Sequence, residues 1–358
     1  MATYDFIFDG LGLREWCDKD ATAGPMSMAD LLAQGSGKGA DGGTDAGGGS
    51  SGVSLWELPF PSLDALNKAC PAVARTREVT KGVESGFLDI KDSLKVVLDP
   101  VTQPLSWFLE GALYAFQTTP WFIMIPLLLA VVYFASKSFK LVGFVAFSIF
   151  FLAFIDHYNF AMQTLAIIFV CALLCVLLGV PIGIAMSRSD TLQRMTIPVL
   201  DMLQTLPPFV YLIPLIFLFS VTEPKLYGIA IILYAIVPVI RLTDLGIRLV
   251  DKEVIEAADA FGMTDRQKLY RVQIPLALPN IMAGVNQTIM MSLAMVVIAS
   301  LVSAPGLGVL VLRGIRNLEL GVGLIAGLGI VLLAVILDRV TKAALARVNA
   351  ASAVQRNS

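Results

Sequence analysis

"EAADAFGMTDRQKLYRVQIP", Glu256 to Pro275, is a charged and polar stretch set between two apolar runs, each long enough to cross a bilayer. Connections between neighbouring helices in a bundle usually take about 2 to 8 residues. This interruption is far longer, and its residues carry their own structural signals. Val254, Ala257, Ala258 and Phe261 follow i, i+3, i+4, i+7 spacing, which predicts a short helix with one apolar face. Gly262 supplies the left-handed backbone that ends such a helix without a Cβ penalty. Thr264 with Gln267 reads as a capping box opening a second helix. Ile274 precedes Pro275, and a proline pushes its predecessor toward extended geometry, so the second helix is expected to stop there. Helix, glycine hinge and helix together make a knob able to fit a partner's groove. No basic recognition face follows, so the pair does not read as a DNA-binding element.

The surrounding chain is membrane material. Of 358 residues, 56% are hydrophobic and 15% charged, with a mean hydropathy of +0.77, well outside the range of soluble domains. The formal charge is −2 and the basic residues are dispersed, which excludes a nucleic-acid footprint. Cys171 and Cys175 lie at i, i+4 in an apolar run without His or acidic neighbours and read as buried packing. Cys17 and Cys70 lie in the polar N-terminal part. His157, the one histidine, follows Asp156 at the edge of an apolar run and reads as a loop residue at the membrane interface. No metal site is expected.

Residues 1–118 differ from the rest. The tract "GSGKGADGGTDAGGGSSG", Gly35 to Gly52, reads as a flexible linker. Its "GSGK" is no phosphate loop, because Leu32 stands where the first glycine belongs and Gly39 where Ser or Thr must follow the lysine. Val83, Phe87, Ile90, Leu94, Val97 and Leu98 fall near helical spacing with charged residues on other faces. They predict an amphipathic helix lying either on the membrane surface or on the protein's own loops. No apolar stretch with a basic flank and a small-residue cleavage site stands near the start, so no cleaved signal peptide is expected.

Seven apolar stretches follow: 121–136, 141–155, 162–186, 209–221, 226–242, 281–303 and 320–338. A spanning helix needs roughly 20 residues, so the second and fourth are short. The Lys and Arg residues of short connections then gather on one side, from Lys137 and Lys140 through Arg188, Arg194, Arg241, Arg248, Lys252, Arg266, Lys268 and Arg271 to Arg339, Lys342 and Arg347. Only Lys225, Arg313 and Arg316 fall opposite. The charge bias puts the Glu256 loop and the C-terminus in the cytoplasm and the N-terminal tail outside. The division expected is a flexible extracytoplasmic tail over 1–78, an amphipathic surface segment over 79–118, two spans over 119–160, a core over 161–342 with its loop at 244–275, and a cytoplasmic tail over 343–358.

Glu-Ala-Ala, three residues, Gly, nine residues, then apolar, any, apolar, Pro resembles the signature loop of permease subunits in binding-protein-dependent ABC importers. Glu256, Ala257, Ala258, Gly262 and Pro275 match it, while Val272 and Ile274 stand where the family usually shows Ile and Leu. "LDMLQTLPPFVYLIPL", "VPVIRLTDLGI", "GMTDRQKLYRVQIPLALPNIMAGVNQTIMMSLAMVVIASLV" and "GLGVLVLRGI" are similar to the glycine betaine and proline betaine branch, over about Gln163 to Thr341. The resemblance implies an all-α membrane protein of the type I importer permease fold, non-catalytic itself and forming a homodimer. Two separate ATPase subunits, carrying ATP and Mg, dock on the cytoplasmic loops, and a binding protein outside delivers the osmolyte. Glu256, Ala257, Ala258, Phe261, Gly262, Arg266 and Pro275 are the coupling-loop residues in that reading. The osmolyte is glycine betaine, proline betaine, choline or trimethylamine N-oxide.

Candidates for the translocation path are Thr205, Pro207, Phe209, Tyr211, Tyr234, Asn286, Gln287 and Met290. Aromatic faces attract a quaternary ammonium by about 0.5 to 2 kcal/mol per contact. An amide inside a span, such as Asn286 or Gln287, faces either a cavity or a helix partner. Pro207 and Pro208 either shape a gate or simply start a helix. Gly179 with Gly183, and Gly323 with Gly327, have the small-residue spacing of close helix contacts. Two other readings carry weight: an ion-coupled secondary transporter of small amines, and an ABC permease for an amino acid such as proline or histidine. Asp156, Asp201 and Asp244 fall near span ends rather than paired at mid-membrane, which argues against an ion relay.

Overall fold

The computed structural model describes Cys17, residues 62–70 and residues 73–357. The Gly35 to Gly52 tract lies outside them. The chain divides into two units, residues 1–93 and 94–358. α1 (Leu63–Ala69) belongs to the first, and α2 (Thr76–Thr118) begins in the first and ends in the second, so part of the expected flexible tail is helical. Asp64 accepts from the backbone N–H of Thr76 at 3.0 Å, and Asn67 accepts from Arg75 Nε at 2.9 Å. Cys17 and Cys70 form a disulfide, a pairing that the spacing of the cysteines alone did not announce.

The second unit is helical throughout its described length outside short turns. After α2 come α3 (Trp121–Ser136), α4 (Phe139–Phe154), α5 (Tyr158–Arg188), α6 (Asp190–Thr205), α7 (Pro208–Leu218) and α8 (Pro224–Arg248). They are followed by α9 (Lys252–Ala260), α10 (Asp265–Lys268), α11 (Ile274–Ala299), α12 (Leu307–Arg316) and α13 (Leu320–Asn357).

Each of the seven apolar stretches has most of its length in one of these helices, with 141–155, 209–221 and 281–303 running past the helix ends at Phe154, Leu218 and Ala299, but they are not equivalent. Only α5, α8, the continuous run Asp265–Val302 and Leu320–Arg347 are long and apolar enough to cross a bilayer alone. The chain bends by 114° between α2 and α3 and by 94° between α6 and α7, and each bent pair has the length and hydropathy of a span only when taken together. Pro120 and Pro207 stand at these breaks with φ of −55° and extended ψ, since proline donates no N–H to a preceding turn. Pro207 is therefore the cap of α7, with Pro208 in its first turn: a helix start after an elbow. With 16 residues, α4 is shorter than a straight span.

α8 is the central helix. In its most apolar window 61% of residues are buried, against 44% for α5 and 22% for α13 at the periphery. It packs along both α5 and α11. Lipid is as apolar as leucine, so helices inside a membrane associate through close packing rather than hydrophobic drive. Gly183 shows how: a Cβ there would stand 2.6 Å from Thr243 Cβ and 2.7 Å from the Ile240 carbonyl oxygen. Gly179 packs on Val239 in the same way, and Gly314 meets Gly323 between α12 and α13, whereas Gly327 faces open space. Cys171 and Cys175 are buried and unpaired among these helices. His157 stands in the turn before α5, beside Asp156 with its φ of +58°.

One local expectation is overturned. Ile274 is helical (φ −62°, ψ −47°), not extended, and the chain does not stop before Pro275. Leu269–Gln273 widens into a π-turn that runs straight into α11. The wider turn accommodates a proline whose ring would clash with the i−4 carbonyl of a regular helix.

Candidate functional site

The 249–273 insert joins α8 to α11 at one end of the bundle. Asp251 opens α9, its carboxylate accepting from the Glu253 N–H at 3.1 Å. The helix closes on Gly262 at φ +71°. The Met263 N–H donates to the Ala258 carbonyl at 3.1 Å and the Gly262 N–H to the Asp259 carbonyl at 2.9 Å. These are the two bonds of a Schellman termination, which requires the left-handed residue between them. Thr264 then caps α10: its hydroxyl accepts from the Gln267 N–H at 3.4 Å while the Gln267 amide oxygen accepts from the Thr264 N–H at 3.0 Å. The hinge and capping box expected from the residues are both present.

Two residues to which the sequence pattern assigned no place in the knob hold it together. The Lys268 ammonium donates to Asp259 at 2.6 Å and lies 3.1 Å from Asp265, bridging α9 to α10. Leu269 is buried, packing with Ile247, Ala277 and Ile281, and seats the insert on the ends of α8 and α11. One apolar residue in a charged stretch was the available signal for Leu269. Nothing local marked Lys268.

The outward surface is unpartnered and apolar at its tip. Phe261 is 85% exposed and Tyr270 66%, with Val254 and Leu249 also exposed, while Ala258 alone of the α9 stripe is buried. Glu256, Ala257, Arg266 and Pro275 are exposed. The surface carries no nucleophile with a base, and among the described residues no group of His, Cys, Asp or Glu can hold a metal ion.

The eight path candidates fall into distinct settings. The Tyr211 hydroxyl donates to Met295 Sδ at 3.8 Å, and Tyr211 and Tyr234 both pack on the main apolar cluster. Met295 was missed because a methionine in an apolar run has no distinguishing signal. Phe209 and Pro207 are exposed at the elbow, and the Thr205 hydroxyl donates to the Asp201 carbonyl at 2.9 Å. Asn286 has a helix partner: its amide donates to Asp338 at 3.3 Å and its oxygen accepts from the Thr341 hydroxyl, tying α11 to α13. Gln287 is exposed beside it, and Met290 is half-buried.

Comparison with known proteins identifies the family of the chain. The family described as "Binding-protein-dependent transport system inner membrane component" matches residues 175–350. The glycine betaine/proline betaine transport system permease protein ProW of Escherichia coli (strain K12) is 38% identical over 306 residues, 84% of this chain and 83% of that one. The glycine betaine transport system permease protein OpuAB of Bacillus subtilis (strain 168) is 39% identical over 249 residues, 68% of this chain and 86% of that one. The trimethylamine N-oxide transport system permease protein TmoV of Ruegeria pomeroyi is 42% identical over 191 residues, 53% of this chain and 29% of that one.

Proposed function

Since the chain belongs to the family of inner membrane permease components of binding-protein-dependent transport systems, we propose that it forms the path of an ATP-driven importer for glycine betaine or a related amine osmolyte. Proline betaine, choline and trimethylamine N-oxide belong to the same substrate class. The named relatives transport glycine betaine, proline betaine or trimethylamine N-oxide, and the chain aligns with the first of them over most of both lengths.

The observation that carries the coupling half of the proposal is the insert. It is a capped two-helix knob, seated by Leu269, braced by Lys268, and presenting Phe261 and Tyr270 to a partner. A separate ATPase subunit holding ATP and Mg docks there, two per homodimer, and a binding protein delivers the osmolyte on the opposite face. In this reading the insert and the C-terminus are cytoplasmic and the N-terminal segment is extracytoplasmic, in agreement with the Lys and Arg bias and with a Cys17–Cys70 disulfide, which persists in oxidising compartments.

Co-purification tests the docking. The unmodified chain should retain its ATPase through detergent extraction, and Glu256→Lys should lose it while still inserting into the membrane. Retention of the ATPase at the unmodified level by Glu256→Lys and by Phe261→Asp would refute the assignment of this face.

A further inference from the structure

Arg248 is the last residue of α8, and only Leu249, Val250 and Asp251 separate it from α9. Its guanidinium serves three acceptors on three different helices. Nε donates to Asp244 Oδ1 on α8 at 2.9 Å, Nη1 to Asp190 Oδ1 at the first turn of α6 at 2.7 Å, and Nη2 to the Met186 carbonyl near the end of α5 at 2.9 Å. Asp244 has an 8% exposed side chain, and its second oxygen accepts from the Gln193 amide of α6 at 2.6 Å. The arrangement suits a planar fork, and a lysine ammonium could not reproduce it. The charges also match the helix ends: a carboxylate at the start of α6, and a cation on the carbonyls closing α5.

The backbone around this node leaves little room for slip. Gly183 brings α5 against the Ile240 carbonyl and the Thr243 side chain of α8, and Gly246 brings α8 against Asn280 of α11. Arg248 thus joins the end of α8 to α6, and α6 leads through the 94° elbow at Pro207 into α7, which carries Tyr211 against Met295. An exposed ion pair alone would contribute little. Here one cation has a nearly buried carboxylate and a helix-end carbonyl among its acceptors.

We infer that Arg248 is a positioning residue for energy coupling: it transmits movement of the docking insert to α6 and through the elbow to the α7 wall of the path. The inference rests on the proposed ATPase docking and goes beyond it, because Arg248 is outside the docking face.

The test is the number of ATP molecules hydrolysed per osmolyte imported, measured on the whole complex with its binding protein in proteoliposomes, using radiolabelled glycine betaine. Arg248→Ala should raise that ratio about tenfold, within the range of coupling between distinct sites, with the ATPase still bound. Arg248→Lys should fall between the two, and Asp190→Ala should raise the ratio by a smaller factor. A purely structural role would lower hydrolysis and uptake together and leave the ratio unchanged, and that result would overturn the inference. Should Arg248→Ala fail to insert, Asp190→Ala decides: its carboxylate is 70% exposed, so the fold does not depend on it. An ATPase that does not bind the unmodified chain would sink the docking proposal and this one together. A bound ATPase with an unchanged ratio in the variants sinks this one alone.

Discussion

Gly262 offers a perturbation whose cost can be separated into shape and size. Its φ is +71°, and a Cβ built on it meets nothing within 4 Å. Space is therefore not the constraint. A side chain at this position pays only for the left-handed backbone, about 1 to 2 kcal/mol for an ordinary L-residue, which lowers the weight of the Schellman geometry about 5- to 30-fold relative to its alternatives. Asn tolerates that backbone better than Ala despite being larger, and a β-branched residue tolerates it worst. ATP-driven uptake should rank Gly262, then Gly262→Asn, then Gly262→Ala, then Gly262→Val. Hydrogen exchange over Lys252–Gln273 should accelerate in the same order. The assay is initial-rate uptake at matched membrane content. If Gly262→Ala matches the unmodified protein while Gly262→Asn loses uptake, the loss follows side-chain volume and the backbone argument is refuted.

Two further outcomes follow from contacts elsewhere in the chain. Asn286→Leu and Thr341→Val each break the same α11–α13 contact, so in a double-mutant cycle on thermal unfolding they should show a coupling of about 0.6 kcal/mol, the usual size for hydrogen bonds between membrane helices; strict additivity would remove the contact. Cys17 and Cys70 should resist a maleimide until a reductant is added, because they are disulfide-bonded. Labelling of both in unreduced membranes would contradict the pairing and its support for an extracytoplasmic N-terminal segment.

The parts of this protein that a linear pattern announces are those built from neighbours in sequence. The hinge at Gly262 and the cap at Thr264 need only residues within a turn or two, and both are present as read. The apolar stretches likewise located the helices, because length and hydropathy are local quantities. Geometry that depends on a distant partner was not legible. Nothing around Arg248 names Asp190, 58 residues away, as its acceptor. Lys225 looked like an exception to the charge bias, yet it is buried against Asp99 at 2.7 Å and Glu223 at 2.9 Å, with its ammonium 5.2 Å from the Phe219 ring centroid. Asn286 illustrates the intermediate case: its polarity inside a span required a partner, but only the fold shows that Asp338 and Thr341 supply it. The Pro275 misreading has a different origin. The rule for a residue before proline is a bias and not a bar: Ile274 takes the α conformation against it, while the π-turn at Leu269–Gln273 relieves the separate clash of the Pro275 ring with the preceding turn.

The central claim is that force reaches this pore through the exposed tip of the insert, from nucleotide hydrolysis on another chain. Its most direct measurement is osmolyte accumulation by proteoliposomes holding the purified chain, with and without the ATPase, under trapped ATP or an imposed ion gradient. Accumulation that requires both the ATPase and ATP, and disappears when Phe261 is replaced by Asp, is the expected result. Accumulation driven by the ion gradient without the ATPase would contradict it.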